Sequence, residues 1–171
     1  KRFFHQAEVA ALKNLLQAID NPYDQISVLS VLRDWGGLSD QQIFEHTTSG
    51  GTFNYLFFSG PATTPVENIL ALLAEMHRRR NSVSLVSLVQ ELLERTYFYQ
   101  RLALKENSRQ IAANLNKVLE IIRLWEWEHP LTLKGFIRWL DKVEKQDREE
   151  AESLIQEADS DAVFLLTIHR S

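Results

Sequence analysis

Apolar positions fall at helical spacing almost from the start of the chain. Between Ala7 and Asp20, residues Val9, Leu12, Leu15, Leu16 and Ile19 share one stripe, which predicts an amphipathic helix. Asn21-Pro22 stops it, because the residue before a proline avoids the helical region. Asp24 is placed to cap a second helix carrying Ile26, Val28, Leu29, Val31 and Leu32. Gly36-Gly37 breaks that helix, and Ser39 caps a third with Ile43 and Phe44 inward. Residues 46–61, with Ser49-Gly50-Gly51-Thr52 and Ser59-Gly60-Pro61, read as loop with one aromatic turn at most.

The pattern resumes at Thr64-Pro65, with Pro at the first helical position and Glu67 in the first turn. Val66, Ile69, Leu70, Leu73 and Met76 form its stripe, and Arg78-Arg79-Arg80 suit its C-terminal end. Ser84 to Glu94 is a short apolar helix. Arg109 to Trp127 carries Ile111, Leu115, Val118, Leu119, Ile122 and Trp125 at helical spacing. His129-Pro130 ends it. Thr132 caps a helix with Leu133, Phe136, Ile137, Leu140 and Val143, and the acidic stretch from Arg148 to Ala158 is a further helical segment, solvated or a connection. The last segment differs. Asp159-Ser160-Asp161 leads into an unbroken apolar run, Ala162 to Leu166, which reads as a strand buried on both faces. A strand of that kind needs neighbours for its ladder groups. Together with a start on Lys1-Arg2-Phe3-Phe4 without Met, it makes a piece of a longer protein the expectation.

The two ends carry a resemblance. Val163-Phe164-Leu165-Leu166-Thr167-Ile168-His169-Arg170-Ser171 resembles the start of motif V of UvrD/Rep-type superfamily 1 DNA helicases. Arg2-Phe3-Phe4-His5-Gln6-Ala7-Glu8-Val9, running into Leu12, Leu15, Leu16 and Ile19, is similar to the segment after motif IV of the same family. Asn21-Pro22, Asp24, Val28 to Arg33, and Arg109 followed by Asn114-Leu115 resemble the AddA and RecB branch in particular. The resemblance implies an all-α, irregular multi-helix domain, the 2B insertion, with one short terminal strand belonging to a neighbouring α/β domain. On that division residues 1–22 are an edge of the RecA-like domain 2A, 23–160 are the helical subdomain 2B, and 161–171 open motif V. The implied parent is an ATP-dependent 3′-to-5′ DNA helicase, alone or joined to a nuclease. It would use ATP and Mg2+ and act on a single-strand/duplex junction. Its further implied partner is a second polypeptide with nuclease or helicase activity.

Composition sets bounds on this. The chain has 171 residues, which suits one domain with a real core. Its net charge of −4 argues against tight autonomous binding to nucleic acid. The absence of Cys excludes disulfides and thiolate metal sites, and suits a cytoplasmic protein. No apolar run reaches the roughly 20 residues that span a bilayer.

Candidate chemistry is sparse. No G-x-x-x-x-G-K-[ST] loop occurs, so ATP hydrolysis by this segment alone is not expected, and no residue is assigned a catalytic role. His5, His46, His77, His129 and His169 are scattered without zinc-ligand spacing. By resemblance, Thr167 and His169 belong to a motif beside single-stranded DNA, where a strand-end Thr hydroxyl can donate to phosphate; the plainer reading is a Thr that satisfies local backbone. Gly36-Gly37-Leu38-Ser39-Asp40 lies where the family often places a Gly-Ile-Gly hairpin on duplex DNA. Ser39 stands in place of the second Gly of that hairpin, and Asp40 adds repulsive charge. Such a turn can offer backbone N–H groups to phosphate, or be a plain helix–helix turn. Arg78-Arg79-Arg80 is the only basic cluster, either a phosphate contact or a solvated helix end that complements the macrodipole. Tyr97, Phe98 and Tyr99 are candidates for base stacking, with some of them in the core, and Trp125, Trp127 and Trp139 suit core packing. The competing function is a stand-alone all-α protein–protein interaction module without a nucleic-acid role.

Overall fold

The computed structural model describes residues 3–128 and 132–159. Among these the regular structure is helical throughout: a short 3-10 turn at Phe3–His5 and eight α-helices, with no strand. The helices are α1 (Ala7–Asp20), α2 (Gln25–Ser30), α3 (Asp40–Thr48), α4 (Pro65–Arg79), α5 (Leu85–Arg95), α6 (Phe98–Leu102), α7 (Ser108–Glu128) and α8 (Leu133–Asp159). The terminal strand expected over 161–171 lies outside the described residues.

Local chemistry sets most of these boundaries. Asp24 accepts a hydrogen bond from the Ser27 N–H at the start of α2. Ser39 with Gln42, and Thr64 with Glu67, form reciprocal capping boxes at α3 and α4. Ser84 caps α5, and Thr132 Oγ1 accepts from the Gly135 N–H at 3.1 Å. A donor of the first turn of α5 is met from elsewhere: the Leu85 N–H bonds the Glu126 carboxylate of α7. The chain after α2 does not stop but widens, through residues Val31–Trp35. There Gly36 N–H bonds the Val31 carbonyl five residues back at 2.8 Å, a π-type turn.

α1 is the centre of the domain and packs on α2, α4, α7 and α8. Val9, Leu12, Leu15, Leu16 and Ile19, the stripe read from the sequence, are all buried in one core cluster with Leu32, Trp35, Leu70, Met76, Leu88, Ile122 and Phe136. Lys13, on the rim, lies 2.7 Å from Asp141 and 2.5 Å from Glu144, which pins α8 to α1. Trp139 stacks on Phe136 with ring centroids 5.5 Å apart, and Trp125 meets both rings.

Four expectations are corrected. Phe44 is 66% exposed and Ile26 80% exposed, because their helices bury only the Ile43 and the Val28-Val31-Leu32 sides. Trp127 is 91% exposed: it follows Trp125 by two residues, about 200° around the helix, so both cannot face α8. The loop assigned to 46–61 begins later, since α3 runs to Thr48. The acidic segment from Arg148 is helical as expected, and it continues α8 to Asp159.

That loop also holds a core residue the periodicity gave no sign of. Tyr55 is fully buried, and its hydroxyl lies 2.7 Å from the Ala18 carbonyl and 3.1 Å from that of Ile19. These are orphan acceptors of the last turn of α1. His77 joins them, with Nδ1 2.7 Å from the Ile19 carbonyl; a carbonyl only accepts, so Nδ1 carries the proton.

Candidate nucleic-acid interface

The first candidate surface is the turn after α2. Gly37 has φ +66°, in the left-handed region that glycine tolerates. A Cβ on Gly36 would stand 2.6 Å from the Leu32 carbonyl oxygen, and one on Gly37 would meet the Arg101 side chain at 3.0–3.3 Å. Both glycines therefore serve close packing. The backbone donors are already spent inside the turn. Gly36 N–H goes to Val31, Gly37 N–H to Arg33 at 3.1 Å, Leu38 N–H to Leu32 at 3.0 Å, and Ser39 N–H to the Gln42 side chain at 2.9 Å. Residues 36–39 therefore leave no backbone N–H for a phosphate, and the exposed pair Arg33–Asp40 lies alongside at 3.2 Å.

Arg101 of α6 holds the turn from beneath. Its guanidinium donates to the carbonyls of Trp35 and Thr96, and burial pulls its pKa below the usual arginine range. Beside it Phe98 packs on Trp35 with centroids 4.5 Å apart. Of the three consecutive aromatics, Phe98 is thus a packing residue. Tyr97 is exposed and sits at φ +52°, left-handed without being glycine, and Tyr99 is partly exposed. No sequence signal pointed to Arg101; a carbonyl-bound guanidinium under a glycine is visible only in three dimensions.

The second candidate is the arginine triplet at the end of α4, and tertiary structure separates its members. Arg79 pairs with Glu75 at 3.2 Å and with Glu91 of α5 at 2.9 Å. Arg80 donates to the His77 carbonyl at 2.5 Å and lies 3.9 Å from Asp20. Arg78 is exposed and has no ion-pair partner among the described residues. The two candidate surfaces are not brought together. Gly36 abuts Ile69 of α4, and Arg78 is nine residues further along, about 13 Å at helical rise.

Thr167 and His169 lie outside the described residues, as does His129. His46 Nε2 lies 3.1 Å from the Thr52 carbonyl, and a Cβ at Gly51 would overlap its ring, so that histidine organises its own loop. Among the described residues no three His, Asp or Glu side chains gather as a metal site, and no helix is long and apolar enough to cross a membrane.

The fold is that of an all-α domain among the described residues. Comparison with known proteins gives relatives of the chain. The chain is 28% identical, over its whole length, to the AddA polypeptide of the ATP-dependent helicase/nuclease of Lactiplantibacillus plantarum. It is 27% identical over 99% of its length to the protein of that name from Exiguobacterium sibiricum, and 28% identical over its whole length to that of Ligilactobacillus salivarius. In each case it spans about 15% of the relative's length. No protein-family model matches the chain. The chain is homologous to one segment of the AddA proteins, the branch that Asn21-Pro22, Asp24, Val28 to Arg33, Arg109 and Asn114-Leu115 resemble.

Proposed function

We propose that this chain is the accessory 2B subdomain of an ATP-dependent 3′-to-5′ DNA helicase of the UvrD/Rep type, in its helicase–nuclease branch. Residues 23–160 form the subdomain and residues 161–171 an edge of the motor domain into which it is inserted; α1, which the sequence assigns to the other edge, packs instead at the centre of the helical domain. The observation that carries this reading is the match over the entire chain to about 15% of the AddA helicase/nuclease proteins, joined to a fold that is helical throughout the described residues. In that role the domain orients duplex DNA ahead of the motor and regulates it by moving against it. ATP and Mg2+ are bound elsewhere in the parent, which works in the cytoplasm with a second polypeptide.

The test is the reading frame on both sides. A Lys-Gly-Leu-Glu-Phe continuation after Ser171, with a G-x-x-x-x-G-K-[ST] loop upstream, is the expected result. A frame with neither overturns the reading in favour of a stand-alone interaction module.

A further inference from the structure

The helix α8 assembles a basic surface that no run of the sequence displays. Lys134, Arg138 and Lys142 are spaced by four residues and all three are solvent-exposed. At helical rise they follow one another at about 6 Å, within an arc of about 80° and over about 12 Å. None has an ion-pair partner among the described residues. The acids that could cancel them are drawn aside: Asp141 and Glu144 both turn to Lys13 of α1, at 2.7 and 2.5 Å. Lys145, on the same side, is 3.6 Å from Glu149. So a protein of net charge −4 concentrates three uncompensated cations on one face of one helix.

We propose that this face of α8 binds the phosphate backbone of duplex DNA, with Lys134, Arg138 and Lys142 each meeting a phosphate. Each strand carries one charge per about 3.4 Å of axis, so the 12 Å span faces about three phosphates of one strand. The occupant is argued from the composition of the face. Protein interfaces centre on desolvated aromatic and aliphatic anchors with few charges, and among the described residues no large apolar side chain is exposed between Thr132 and Glu149. Phosphate-directed surfaces are polar and strongly positive instead. The site has a limit along the helix. From Glu149 onward the sequence of α8 turns acidic, with Glu149, Glu150, Glu152 and Glu157, so DNA tracks the first half only.

This inference rests on the helicase reading for the choice of DNA, but its test is separate. Anisotropy of a labelled 20-base-pair duplex with the 171-residue chain, between 50 and 200 mM KCl, measures the number of phosphates engaged. The triple variant K134Q/R138Q/K142Q is expected to lower the slope of log K against log salt by about 2.7, at about 0.9 per lost contact. The wild type then loses about 40-fold more affinity than the variant over that salt range. R123Q, which removes a cation paired to Glu120 on α7, is expected to leave the slope unchanged. Circular dichroism and the melting temperature of the triple variant check that it is folded. The proposal is overturned if the folded triple variant keeps the wild-type slope, if the wild type does not bind the duplex at 50 mM KCl, or if poly-glutamate of equal charge competes as well as DNA. Each of those results leaves the flanking-sequence test of the helicase reading untouched.

Discussion

The Arg79 guanidinium stands 2.9 Å from the Glu91 carboxylate, a contact that joins the last turn of α4 to the middle of α5. Arg95 closes the arrangement, 3.2 Å from Glu91 and 2.8 Å from Glu75. Two arginines and two glutamates thus alternate around the α4–α5 hairpin. The hydrogen bond from Arg79, then that from Arg95, hold the Glu91 carboxyl below its ordinary pKa against the opposing effect of burial. A carboxyl lowered on folding contributes stability above its unfolded pKa and loses it as pH falls through the folded value. Melting temperature should therefore drop as pH falls through and below the ordinary carboxylate range, and Glu91→Gln should flatten that part of the profile. Thermal melts by circular dichroism from pH 7 to pH 3 decide it; an identical profile for the variant would show that the pair carries no linkage.

Tyr55→Phe keeps the ring and removes the hydroxyl that serves the Ala18 and Ile19 carbonyls. Buried acceptors left without a donor cost about 1–3 kcal/mol. Chemical denaturation should show a loss in that range, smaller to the extent that His77, already on Ile19, takes up the vacancy.

Gly37→Ala places a Cβ against the Arg101 guanidinium and forces a left-handed conformation on alanine. The conformational part costs about 1–2 kcal/mol. The double variant Gly37→Ala/Arg101→Ala should lose less than the sum of the two single variants, because the clash disappears with the guanidinium. Additive losses in a double-mutant cycle would refute the coupling.

Arg78 and Arg79 should behave oppositely. Arg79→Ala is expected to lower the melting temperature, since it opens the α4–α5 pairing. Arg78→Ala should leave stability within about 0.5 kcal/mol, as surface changes do. If Arg78 contacts a phosphate, it should also reduce the salt slope of DNA binding by about 0.9. Melts and salt titrations of the two variants, run side by side, separate the roles.

Phe136→Ala should be the most damaging of these changes, at about 3–5 kcal/mol. Its ring is fully buried against Trp125 and Trp139, so truncation opens a cavity between two rigid indoles. A loss under about 1 kcal/mol in denaturant titration would mean that the α7–α8 aromatic packing is not as described.

Much of the fold was legible because short-range chemistry decided it. The stripe of α1, the caps Asp24, Ser39 and Thr132, and the helix start at Thr64-Pro65 follow from neighbours three or four residues apart. What depends on which helix lies opposite was not legible. Periodicity cannot say that Phe44 and Ile26 face water, or that a loop tyrosine seals α1. The same limit governs the candidate sites. Three consecutive arginines look like one cluster, but Glu91, twelve residues from Arg79, claims it. Three cations four residues apart look like nothing until a helix aligns them. Thr167 and His169 were read from resemblance and remain a proposal about the parent protein.

The central place of α1 also sets a clock. A helix that packs on α2, α4, α7 and α8 and buries Leu12, Leu15, Leu16 and Ile19 is expected to exchange the amide protons of that buried stretch through opening of the whole domain. The exchange lifetimes of Leu12 to Ile19 would then report global stability directly. A perturbation at any surrounding helix, or a partner seated on any outer face, would be recorded by the same few protons.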